Sequence, residues 1–75
     1  MNLYIIDADD DCTTLVLTVV AQTETEALNM AREHCRNADD DASCVPEEEI
    51  RVVETYKLKP GRNTPGVKKR WVHSG

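Results

Sequence analysis

Residues 13–21, Thr-Thr-Leu-Val-Leu-Thr-Val-Val-Ala, constrain the fold of this chain more than any other stretch. They are dense in β-branched side chains, which favour a pleated surface. A side-chain period of two puts Leu15, Leu17 and Val19 on one face and Val16, Thr18 and Val20 on the other. Both faces are apolar enough to need cover, so the strand belongs at the centre of a sheet. With 75 residues in the chain there is room for one small domain, 1–75, and for one sheet.

The rest of the chain supplies partners for that strand. Residues 2–8 read as a first strand, and the acidic turn after them makes residues 2–21 an antiparallel hairpin. A helix is expected from about 24 to 37. Thr23 can cap it, Glu26 completes the capping box, and Ala27, Leu28, Ala31, Cys35 and Ala38 recur at helical spacing. Residues 39–48 read as a loop in which Pro46 blocks helix continuation. A third strand is expected over 49–58, with Ile50, Val52 and Tyr56 on one face. Val53 breaks the strict alternation there and hints at a bulge. Pro60-Gly61 and Pro65-Gly66 mark a turn, and 67–72 read as a last strand before a frayed tail. In that strand Val67, Lys69 and Trp71 should share a face, and on one of two readings of this stretch Trp71 closes the core. The fold class is therefore α+β: one antiparallel β-sheet of about four strands, in the order β-β-α-β-β, packed on one face by a single α-helix.

The core must be thin and aliphatic, because the chain has no Phe and its only aromatics are Tyr4, Tyr56 and Trp71. No apolar run approaches the roughly 18 residues that span a bilayer. Asp7, Asp9, Asp10 and Asp11 interrupt the first apolar stretch, so no signal peptide is expected. The three cysteines, Cys12, Cys35 and Cys44, are an odd number without framework spacing and read as reduced thiols in a cytosol.

Charge is segregated. Residues 1–49 carry thirteen acids and two bases, whereas residues 50–75 carry one acid and seven bases, for a net charge of -5 over the chain. The acids cluster as Asp9-Asp10-Asp11, Asp39-Asp40-Asp41 and Glu47-Glu48-Glu49. Two readings stand: three solvated loops, or a surface that presents spaced anions to a basic partner. The bases at Arg51, Lys57, Lys68, Lys69 and Arg70 also have two readings. They could meet phosphates or carboxylates of a partner, with Trp71 stacking, or Lys68 to Arg70 could guard an edge strand against aggregation. The overall acidity argues against nucleic acid as the direct ligand.

Motifs for chemistry fail on spacing. Asp7-x-Asp9-x-Asp11 opens like a calcium loop, but Cys12 stands where Gly is needed and Thr18 where Glu is needed. His34, Cys35 and Cys44 match no common zinc pattern. Cys35 and His34 are helix neighbours that point about 100° apart, so they form no nucleophile pair. Gly61 to Gly66 lacks the Gly-Lys-Ser/Thr of a phosphate loop. The chain reads as an interaction protein, not an enzyme, with no cofactor, metal, small-molecule substrate or membrane implied.

Three short motifs carry a resemblance: Tyr4-Ile5-Ile6 in the first strand, Glu26-Ala27-Leu28 at the helix start, and Lys69-Arg70-Trp71-Val72 near the end. In this order the chain resembles a group of small phage and mobile-element anti-CRISPR proteins, the type I-F inhibitors. The resemblance implies a binder of a type I surveillance (Cascade) complex that blocks target DNA recognition in a bacterial cytoplasm. That group works through basic residues on its sheet, whereas this chain is acidic. The departure fits another anti-CRISPR habit, imitation of DNA by carboxylates. The expected contacts are then Asp9, Asp10, Asp11, Asp39, Asp40, Asp41, Glu47, Glu48 and Glu49. The alternatives are a grip through the basic C-terminal strands, or a small nucleic-acid-binding accessory protein of a mobile element. A monomer or weak dimer is expected, with an edge at 67–72 that permits sheet extension.

Overall fold

The computed structural model describes residues 1–10 and 13–74. The chain runs through β1 (Asn2–Asp9), β2 (Thr13–Ala21), α1 (Glu24–Arg36), 3-10 turns at Asp41–Cys44 and Glu47–Glu49, β3 (Arg51–Lys57) and β4 (Gly66–Ser74). The strands form one antiparallel sheet in the order β3-β1-β2-β4, and α1 lies on one face, giving the α+β fold that the patterning implies. The strand with two apolar faces, β2, is central, and the two strands drawn from the basic half of the chain are the edges.

Local chemistry accounts for the helix boundaries. The Thr23 hydroxyl accepts the Glu26 N–H at 3.2 Å, which satisfies one of the orphan donors of the first turn. At the other end Asn37 caps the helix and donates its N–H to the Glu33 carbonyl. Ala27, Ala31 and Cys35 are buried, and Leu28, Met30 and Ala38 pack at the rim of the core. Small residues in this stripe let the helix sit close to the sheet. Facing them are Tyr4, Ile6 and Ala8 from β1 and Leu15, Leu17 and Val19 from β2, joined by Ala42, Val45 and Ile50 from the segment between α1 and β3. The largest fully buried side chains are Ile6, Leu15, Leu17 and Val19, so the core is mostly aliphatic, with Tyr4 as its aromatic member among the described residues. Each such side chain contributes roughly 1.5–3 kcal/mol on burial.

Four readings need correction. Residues 39–48 are not a plain loop but hold two 3-10 turns, and the strand after them begins at Arg51 instead of 49. Asp40 nucleates the first turn by accepting the Ala42 N–H at 3.1 Å. The last strand extends to Ser74, so His73 is part of the sheet and not a frayed tail. The third and fourth corrections concern faces. Between Ile5 and Ile6 of β1 the pairing steps from Glu54 to Val52, leaving Val53 as an extra residue. Between Thr18 and Val19 of β2 it steps from Lys69 to Val67, leaving Lys68 extra. Each bulge shifts the strand by one residue, which moves everything beyond it to the other face. Val52 and Val67 therefore face the helix, while Tyr56 and Trp71 turn to the open side of the sheet. Trp71 does not close the core; it is 54% exposed.

Among the described residues no helix is long and apolar enough to cross a membrane.

Candidate partner-binding surfaces

The acidic runs occupy two regions. Asp9 ends β1 and Asp10 follows it. The 3-10 turn Glu47–Glu49 packs against β1 and leads into Arg51, which pairs with Asp7. These two runs, distant in sequence, therefore emerge at the same end of the sheet. Asp39 and Asp40 follow the helix and lie instead along the β4 flank, where Asp40 accepts from Arg70, the residue paired with Leu17 at mid-sheet. Asp11 lies outside the described residues, and Asp41 opens the first 3-10 turn.

Several of these carboxylates are engaged by partners within the chain, in exposed contacts that contribute little to stability. Arg36 donates to Glu47 at 2.7 Å and ties the helix end to the segment before β3. Thr14 donates to Asp9 at 2.7 Å across the hairpin. Asp40 is held below the usual carboxylate range by the Ala42 N–H, with Arg70 acting in the same direction. The Glu47 hydrogen bond holds the Arg36 pKa above its ordinary value. Asp39, Glu48 and Glu49 are exposed.

The basic set is divided by the topology. Arg51 and Lys57 are on β3, at one edge, and Lys68, Lys69 and Arg70 on β4, at the other. Three strand spacings separate them, about 14 Å. Arg51 donates to Asp7 at 3.2 Å and Arg70 to Asp40, so two of the five are engaged within the chain. The segregation of charge along the sequence does not become one basic face.

The open side of the sheet forms a surface that the sequence patterning did not reveal. Pairing sets its residues in rows across the strands. The first row is Tyr56, Leu3, Val20 and Gly66; the second is Glu54, Ile5, Thr18 and Lys69; the third is Arg51, Asp7, Val16 and Trp71. Asp9, Thr14 and His73 form a shorter fourth row. An apolar band thus crosses the sheet from Tyr56 to Trp71. Tyr56 is 51% exposed, Leu3, Ile5 and Val16 are half-buried, and Val20 is buried. The Trp71 and His73 rings stack with centroids 5.7 Å apart. Tyr56 donates its hydroxyl to Glu54, which pushes the phenol pKa up. The sequence signals for this surface were the second apolar face of β2, at Val16 and Val20, and the irregular step at Val53.

Between α1 and β4 runs a groove of about 580 Å³, lined by Met30, His34, Asn37, Asp40, Val67 and Arg70 among others. His34 Nε2 is buried there without a hydrogen-bond partner in the protein. Of the cysteines, Cys35 is buried on the helix, with its thiol pKa pushed up by burial, and Cys44 is exposed. Among the described residues no group of three or more His, Cys, Asp or Glu side chains is arranged to hold a metal ion.

No family model matches the chain, and no curated protein or solved structure is significantly similar to it.

Proposed function

We propose that this chain is a non-catalytic inhibitor that acts by occupying a binding surface on a larger machine, and that the machine is a type I CRISPR surveillance complex in a bacterial cytoplasm. The observation that carries this reading is the convergence of two acidic runs, Asp9-Asp10 and Glu47–Glu49, at one end of the sheet. Duplex DNA presents one negative charge per about 1.7 Å of axis, and a receptor groove for it is lined with Lys and Arg. A sheet end with exposed carboxylates can enter such a groove and release the same counterions. The short motifs of anti-CRISPR type give the reading its specific target. The division of the basic set between opposite edges favours the acidic contact over the basic one.

The test is a binding assay of labelled target duplex to a purified type I complex with the protein added. DNA binding should fall at low salt, and the inhibition should fade as salt is raised. Reversing Asp10, Glu48 and Glu49 to Lys should abolish it, whereas reversing Lys57 and Lys68 to Glu should not. Unchanged DNA binding at low salt refutes the proposal. A shift of plain duplex by the protein alone would identify a nucleic-acid-binding accessory protein instead.

A further inference from the structure

The open sheet face is complementary to itself, and we infer that it docks on a second copy of this chain, sheet against sheet. The inference rests on the rows set by strand pairing and not on the acidic end. Consider a two-fold axis lying between the sheets and parallel to the strands. It brings β3 of one copy over β4 of the other, and β1 over β2. In the second row Glu54 then faces Lys69 of the other copy, twice by symmetry. In the third row Arg51 faces the exposed indole of Trp71, a cation over an aromatic face. In the first row Tyr56 lies over Gly66, where no side chain competes for the space, and Leu3 meets Val20. Aligned sheets pack about 30° apart, a rotation that long Lys, Glu and Arg side chains absorb at the edges.

Two other pairings of two copies set like charges together. A two-fold axis perpendicular to the strands and crossing the second row stacks β3 on β3 and β4 on β4, bringing Glu54 towards Glu54 and Lys69 towards Lys69; moved half a row it sets Glu54 over Arg51, a register that the double exchange at 54 and 69 would not restore. Sheet extension through β4 aligns Lys68, Lys69 and Arg70 with their own counterparts at the bulge. Like charges placed opposite one another disfavour both arrangements. The face is small: four strands by about four rows is roughly 20 Å on a side, so the dimer should be weak, with Kd on the order of tens of micromolar.

The experiment is sedimentation equilibrium up to about 1 mM protein, which spans that range of Kd, together with emission from Trp71, the chain's only tryptophan. Association should be concentration-dependent, and the emission should move to the blue in step with it. The variants Glu54→Lys and Lys69→Glu should each weaken association by about tenfold or more, because each sets like charges face to face twice. Both positions are exposed, so folding is preserved, and circular dichroism checks this. Mixing the two single variants should restore association, since both facing pairs are then opposite in sign, and the double exchange should restore it in one chain. A monomer at about 1 mM overturns the inference. So does a dimer that survives both single reversals, or one that Lys69→Glu strengthens, as an edge-to-edge β4 pairing would be. Failure of the mixed variants to associate overturns it as well.

Discussion

The two faces of the sheet are built from alternate residues of the same strands and behave as different materials. On the helix side Tyr4, Ile6, Leu15, Leu17 and Val19 are buried under α1 and the 3-10 segment. On the other side Ile5, Val16 and Thr18 are only half-buried, with Tyr56 and Trp71 exposed at either edge. Hydrophobicity alone does not distinguish them, because Val16 and Ile5 are as apolar as Leu17 and Ile6. What separates the faces is that one helix can cover only one of them. An apolar surface left over in this way is a binding surface or a liability, and the opposite charges at its two edges, Glu54 on β3 and Lys69 on β4, favour the first.

The largest expected effect breaks the comparison directly. Leu17→Ala on the covered face should lose about 2–5 kcal/mol, whereas Val16→Ala, its neighbour on the open face, should lose about 1 kcal/mol or less. Urea unfolding at low concentration measures both. Equal losses would mean that the open face is as tightly packed as the covered one. A smaller effect tests the cover itself. Thr23→Ala removes the side-chain cap of α1 and should cost about 1 kcal/mol with an unchanged m-value. No loss would mean that helix packing on the sheet holds the first turn without its cap.

The smallest effect is a pH dependence. Burial raises the Cys35 pKa above the ordinary thiol value of 9.0. The folded state therefore disfavours the thiolate. The stability linked to this thiol is full below pH 9.0 and is lost as pH rises through the raised value. Cys35→Ala should flatten the alkaline fall in stability. Thermal melts from pH 7 to pH 10.5, the range that brackets an ordinary thiol, check this. An alkaline slope that survives in Cys35→Ala would assign it to other groups, Tyr56 first among them.

Much of the architecture was legible because it is local. The bounds of β2, the Thr23 cap, the helix stripe of Ala27, Ala31 and Cys35, and the hairpin follow from periodicity and capping chemistry over a few residues. The candidate sites were less legible. The acidic runs are plain in the sequence, but Glu47 bonding to Arg36 and Asp40 bonding to Arg70 depend on residues brought together from different elements. The bulge that Val53 signals in β3 is present, but its consequence, Tyr56 on the opposite face from Val52, does not follow from alternation alone, and nothing in 67–72 signals the bulge at Lys68 that turns Trp71 outward.

Sequence by itself determined which segments are strands and helix, that β2 is central, and that acid and base are separated along the chain. The tertiary structure decided that β3 and β4 lie at opposite edges, which splits the bases, and that Tyr56 and Trp71 face outward. Local periodicity and capping act within one segment and leave their mark there. A bulge is a mismatch between two paired strands, and an edge is a place in a sheet order. Neither is defined until the chain has chosen its partners.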